Sequence, residues 1–255
     1  MNWHCRMLAL AILAAGLLAA PGGVAAQALT REQGDAILQE LKSIRQLLER
    51  QQAQPQRGPA PAQPPVPERV QVDLKGAYAM GKADAPVTMV AFVDYECPFC
   101  KRFDTQTLPG LKKKYIDTGR LRYVIRDLPL EFHKRALKAS EATYCAAEQG
   151  KYWEMREKLI THSDRLDPDS LLEHGKAIGV NLEPFRQCLE GGKYAAGLAK
   201  GLDTARALGI SGTPTFVVGR TARGDVLNGV KVVGAQASAN FEREIDALLE
   251  GEGKK

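Results

Sequence analysis

Cys97-Pro98-Phe99-Cys100 places two thiols within disulfide reach of each other, a spacing suited to reversible oxidation. The run Val87 to Asp94 ahead of it reads as a buried strand, and Pro98 stands where a helix opens. The pair therefore sits at a strand-to-helix junction. There Cys97 lies near unpaired helix N–H groups and the positive end of the helix dipole, which favour thiolate over thiol. This makes Cys97 the attacking sulfur, with a depressed pKa that Lys101 and Arg102 would support and Glu96 would oppose. Two other readings of a C-x-x-C are a zinc half-site and an inert disulfide. A structural zinc needs four ligands, usually from a second close pair. Cys145 and Cys188 stand 43 positions apart, and His133, His162 and His174 do not pair at ligand spacing, so no metal site is expected. Placement argues against an inert disulfide, since a junction of this kind is where a redox pair gains from a helix terminus.

A second signal is Gly212-Thr213-Pro214-Thr215, immediately before a strand. Proline cannot donate to a strand ladder, and at a strand entry it often marks a cis bond. Alone, it reads as an ordinary turn.

The elements that must hold these groups follow from the pattern of apolar residues. Pro98 begins a helical stretch, broken or kinked near Pro109 and Gly110, that ends by Gly119. Leu121 to Ile125 is the next strand. A long run without strand signals follows, with helices over Lys134 to Gln149, Tyr152 to Ile160, Asp169 to Ile178, Glu183 to Leu189 and Tyr194 to Leu208. Asp167 and Pro168 suit the N-cap and first position of one of them. Two short strands, Thr215 to Val218 and Lys231 to Val233, flank a loop containing Gly224 and Gly229. A last amphipathic helix spans Ala237 to Leu249, and Val70 to Leu74 adds an edge strand. This order gives an α/β sandwich with a helical insertion at about residues 130–208, not a doubly wound sheet.

Ahead of this domain, at residues 69–250, stand three segments of different character. Arg6 precedes an uncharged apolar stretch, Met7 to Ala20, which is too short to span a bilayer. Small residues ending in Ala26, Gln27 and Ala28 then offer a cut site, so residues 1–28 read as a secretory signal peptide and the protein as periplasmic. Residues 29–50 read as a helix with Ile37, Leu41, Ile44 and Leu48 on one seam, about three heptads long. A helix of that length is marginal alone, which points to oligomerisation. Residues 51–68, rich in Pro, Gln and Ala with six prolines, read as an extended linker. The net charge of +5 comes from 35 basic against 30 acidic residues, too balanced to argue for nucleic acid. Removing the signal takes Cys5 and leaves four cysteines, an even number that suggests disulfides in an exported chain.

From roughly Val87 to Leu249 the chain resembles the DsbA-like branch of the thioredoxin superfamily. The carriers are Cys97 to Cys100, Arg126-Asp127-Leu128-Pro129-Leu130 with His133, Cys145 before Gln149-Gly150, Trp153, and Gly212-Thr213-Pro214-Thr215-Phe216. The resemblance implies a thioredoxin fold with an inserted helical domain and a cis Pro214 packed against the cysteines. It implies thiol–disulfide exchange with Cys97 as nucleophile and Cys100 as resolving thiol, and no metal or organic cofactor. Pro98, Phe99, Thr213 and Pro214 would meet the substrate, an unfolded or flexible exported polypeptide. A redox partner protein would recharge the pair, and it would be membrane-bound if the pair donates disulfides. A structural disulfide between Cys145 and Cys188 is sometimes found in the family, with two buried free thiols as the other reading. The chain departs from the pattern in two places. The inner dipeptide is Pro-Phe where the strongest oxidants carry Pro-His, and the acid often found six residues before the first cysteine falls at Ala91. Oxidase is the first expectation. An oligomeric isomerase or reductase comes second, and a non-catalytic chaperone-like module third.

Overall fold

The computed structural model describes residues 30–53, 68–222 and 224–251, which divide near residue 63 into two units. The expected signal peptide and nearly all of the expected linker lie outside the described residues.

The first unit contributes helix α1 (Arg31–Ala53), opened by a capping box in which Gln33 N donates to Thr30 Oγ1 and Thr30 N donates to Gln33 Oε1. Its seam residues Ile37, Leu41, Ile44 and Leu48 are 48–55% exposed, and Leu38 and Leu47 beside them are equally open.

The second unit is built on a six-stranded sheet of β1 (Arg69–Asp73), β2 (Tyr78–Met80), β3 (Val87–Val93), β4 (Leu121–Asp127), β5 (Thr215–Arg220) and β6 (Val226–Val233). Their order across the sheet is β1-β6-β5-β3-β4-β2, with β3 and β4 parallel and the other pairs antiparallel. Strand β3 is central and wholly buried because its seven residues serve two cores. Met89, Ala91 and Val93 face one core with Phe103, Phe216 and Phe241, while Val90 and Phe92 face the other with Val124, Val217 and Leu227. Between β4 and β5 lie five helices, α4 (Ala136–Ala147), α5 (Tyr152–Thr161), α6 (Pro168–Ala177), α7 (Leu182–Glu190) and α8 (Ala195–Ala207), and α9 (Ser238–Glu250) closes the chain. Asp167 caps α6 through a bond from Ser170 N, and Pro168 fills its first turn.

The structure departs from the expected elements in three places. Of the break or kink expected near Pro109 and Gly110, the break is absent, and the helical path is irregular there instead. It runs as α2 (Pro98–Arg102), a π-turn (Phe103–Thr107), α3 (Leu108–Leu111) and a second π-turn (Lys112–Ile116), and Leu108 N bonds Phe103 O five residues back. The wider turn accommodates the missing N–H of Pro109 without ending the helix. Strand β6 begins at Val226, well before Lys231, and contains Gly229, which the sequence pattern places in the loop. A Cβ at Gly229 would lie 2.6 Å from Val218 O, so glycine here permits a close approach of strand to strand. Finally β2, three half-buried residues, is too short to carry an alternation signal.

Cys145 on α4 and Cys188 on α7 form a disulfide that closes a 43-residue span of the insertion. A loop of that length restricts the unfolded chain by about 4 kcal/mol in the chain-entropy model. The double variant Cys145→Ala/Cys188→Ala is expected to lose about 2–4 kcal/mol in urea denaturation. Its Cys97 alkylation rate should stay at the wild-type value.

Candidate active site

Cys97 ends the β3 loop as the N-cap of α2, with extended backbone angles (φ −73°, ψ 117°), and Pro98 occupies the first turn. The two cysteines are free thiols, Cys97 4% exposed and Cys100 fully buried. Cys97 Sγ lies 3.2 Å from Thr213 O, to which its thiol donates. The Thr213–Pro214 peptide bond is cis, and Gly234 N bonds Pro214 O, which ties the start of β5 to the end of β6. The two sequence signals, 116 residues apart, thus meet at one sulfur. Phe99 is half exposed, with the Arg102 guanidinium 5.0 Å from its ring centre while Arg102 also donates to Ala235 O.

The Cys97 thiol is pulled down to about 6, first by the Cys100 thiol, against the opposing effect of burial. Thr213 and the Cys100 and Phe99 backbone N–H groups act in the same direction. The Cys100 thiol is pushed far above its ordinary range, chiefly by burial and then by the neighbouring Cys97. One sulfur is thus prepared to attack and its partner is kept protonated until needed. Two of the charged neighbours named from the sequence, Arg102 and Glu96, act elsewhere. Arg102 is engaged with Phe99 and Ala235, and the Glu96 carboxylate accepts from Arg135 N (2.6 Å) and Ala136 N (2.9 Å) at the start of α4. In the reduced protein, alkylation of Cys97 by iodoacetamide is expected to follow a pH midpoint near 6, well below that of an ordinary thiol. A midpoint above 8 would contradict the geometry.

Three aspartates and an arginine without a role in the sequence reading frame the site. Asp94, fully buried, accepts from Glu96 N at 2.7 Å through Oδ1, and from Leu130 N at 2.8 Å and His133 Nδ1 at 2.9 Å through Oδ2. With Leu128 N bonded to Val93 O, these contacts clamp the loop after β4 onto the turn that carries Cys97. Below, Asp104 on the π-turn after α2 pairs with Arg156 of α5 at 2.7 Å, both nearly fully buried. Position 91 is a buried alanine, so the acid nearest in sequence to Cys100 within the core is Asp104, four residues on. Asp127 is pushed up to about 6 by burial, against Tyr144, Arg156 and Tyr95, which favour its carboxylate. Only pattern could have flagged these groups: an aspartate ending a buried strand, and acids or arginines at otherwise apolar helix positions.

Among the described residues no cluster of His, Cys, Asp or Glu is arranged to hold a metal ion. The arrangement can carry out dithiol–disulfide exchange, with Cys97 4% exposed in front of a fully buried Cys100 and the Thr213 carbonyl beside it.

A family model described as thioredoxin matches residues 73–247. The solved structure of α-DsbA1 from Wolbachia pipientis is 26% identical, with a TM-score of 0.62 over 69% of this chain and 92% of that one. BdbD from Bacillus subtilis shares the fold at 24% identity and a TM-score of 0.63, over 72% of this chain and 98% of that chain. The curated relative Na(+)/H(+) antiporter NhaA 3 of Salinispora tropica is 39% identical over 150 residues, 58% of this chain. That match spans only 22% of the antiporter's length. Among the described residues, no helix is long and apolar enough to cross a membrane.

Proposed function

Since the chain belongs to the thioredoxin family and has the fold of its DsbA-like members, we propose that it is an exported protein thiol–disulfide oxidoreductase that donates disulfides to folding polypeptides. The observation that carries this reading is the Cys97 sulfur, held 3.2 Å from Thr213 O beside a buried Cys100, with its thiol lowered to about 6.

The direction follows from linkage. Only the reduced form has a thiol to ionise, so a depressed Cys97 stabilises that form. The sign is that of an acid whose folded pKa is lowered. The stabilisation grows as pH rises through about 6, is complete above the ordinary thiol value, and is lost as pH falls through about 6. A pair whose reduced form is favoured gives up its disulfide readily. A client thiolate attacks Cys97 Sγ, the Cys97–Cys100 bond breaks with its electron pair left on Cys100, and a second client thiol releases the mixed disulfide. The client would lie extended along Thr213, paired through main-chain hydrogen bonds. A redox partner protein, in this reading a membrane oxidase, restores the disulfide, and no metal or organic cofactor takes part.

The test is direct. The oxidised protein, mixed with a reduced, unfolded secreted protein, should transfer one disulfide per molecule. Failure to transfer, with Cys97 shown to be accessible, would count against the oxidase. Export is tested by mass spectrometry of the periplasmic fraction, where the chain should begin at Leu29.

Helix α1 supports a second reading as an isomerase or reductase. Its apolar seam is half exposed in its own unit, and a second copy of the same helix is the occupant that a self-complementary a/d pattern fits. Pairing there would set several active sites around shared clients. Sedimentation of residues 29–255 decides it: a dimer or trimer supports this reading and a monomer removes it.

A further inference from the structure

Breaking the Cys97–Cys100 bond leaves charge on a sulfur that has no access to water, and something in the fold must receive it. Cys100 Sγ is fully buried, and Asp94 N lies 3.5 Å away with its N–H donating to it. The residue that carries this amide is anchored through its side chain. The Asp94 carboxylate accepts from Glu96 N on the near side and from Leu130 N and His133 Nδ1 across the loop, at 2.7, 2.8 and 2.9 Å. An ionised carboxylate only accepts, so the His133 ring donates from Nδ1. His133 is in turn seated by its backbone bond to Leu130 O and by the Phe132 ring 4.4 Å away. Through the backbone of Asp94 these bonds link the loop after β4 to the buried sulfur.

We propose that Asp94 and His133 are positioning residues for the exchange reaction, fixing the Asp94 backbone N–H against Cys100 Sγ so that this sulfur can leave as a thiolate. The inference rests on the exchange reading above. As the client thiolate attacks Cys97 Sγ, a client–Cys97 bond forms and the Cys97–Cys100 bond breaks. The electron pair stays on Cys100 Sγ, where the Asp94 N–H meets it. A preorganised donor aimed where charge develops lowers the barrier without rearrangement at that moment. Burial makes such a donor matter more, since water cannot replace it. The same grip explains why two acids, Asp94 and Glu96, stand within three residues of a thiolate without working against it. Both are turned to the loop side, and each accepts from backbone or ring N–H groups there.

The experiment separates the leaving step from the reactivity of Cys97. Oxidised full-length protein is mixed with reduced glutathione, and loss of the Cys97–Cys100 disulfide is followed by acid quench and mass spectrometry. In parallel, iodoacetamide alkylation of Cys97 is timed in the reduced protein. His133→Ala is expected to slow glutathione attack roughly three- to tenfold, the scale of a weakened hydrogen bond to a charged group, with the alkylation rate within about twofold of wild type. His133→Asn, which keeps an N–H where Nδ1 stood, should restore the exchange rate. Asp94→Asn, which cannot accept from all three donors, should slow exchange at least as much as His133→Ala. If Asp94→Asn does not fold, the partly exposed His133 still tests the proposal. Variants that exchange at the wild-type rate, or that lose exchange and alkylation together, overturn the positioning role alone. A wild-type disulfide that glutathione does not open overturns the exchange reading as well.

Discussion

A Cys97→Ser variant loses thiol–disulfide exchange by at least about a thousandfold, and Cys100 does not replace it. The remaining sulfur is fully buried, and its thiol is pushed far above the ordinary range by burial, so at neutral pH it offers almost no thiolate and no path to a client. The complementary variant behaves differently. Cys100→Ala keeps a Cys97 that attacks but removes the internal thiol that resolves the adduct, so mixed disulfides with clients accumulate. Non-reducing electrophoresis and peptide mapping should find them on Cys97. Adducts on Cys145 or Cys188 would require another active sulfur, and these two are already paired with each other. Activity left intact by Cys97→Ser would instead favour a non-catalytic module that uses the fold as a scaffold.

The second large effect concerns the ion pair under the active-site helix. Asp104 and Arg156, 2.7 Å apart and about 4–5% exposed, join the segment bearing Cys100 to α5 of the insertion. Replacing such a pair with apolar groups can be neutral, but removing one member leaves a charge buried without its counter-ion. Arg156→Met is expected to cost about 3–5 kcal/mol in urea denaturation. The double variant Asp104→Leu/Arg156→Met should recover most of that loss, because no uncompensated charge remains. A single variant costing under about 1 kcal/mol would mean that the site admits water. The neighbours that would notice are Tyr95, Tyr123 and Tyr152, whose hydroxyls lie buried close to the Arg156 guanidinium.

Much of this frame was legible in the sequence because its signals are local. An unbroken apolar run gives β3, a C-x-x-C with proline gives the start of α2, and Asp167-Pro168 gives the start of α6. Thr213-Pro214 was recognisable only as a partner to the cysteines, and the structure brings Thr213 O to Cys97 Sγ. What escaped were long-range polar contacts. Asp94 and His133 are 39 residues apart and Asp104 and Arg156 are 52 apart, and no periodicity marks a residue that is buried because its partner is charged. The electrostatics around Cys97 depend on the same long-range contacts. Adjacency in sequence suggested that Glu96 opposes the thiolate, yet its carboxylate is held by the first amides of α4. Gly229 read as a loop residue because glycine usually interrupts strands. Here the missing side chain is what lets β6 lie against β5.

The measurement that bears most directly on the central claim is the reduction potential of the Cys97/Cys100 pair in residues 29–255, equilibrated against glutathione with Cys145 and Cys188 mapped separately. Exchangers of this kind range from about −120 mV for a strong oxidant to about −270 mV for thioredoxin. A Cys97 thiol lowered to about 6, with Cys100 buried behind it, places the expected value nearer the oxidising end. A value at or below about −270 mV would contradict a disulfide donor and mark the pair as a reductant that needs its own electron supply.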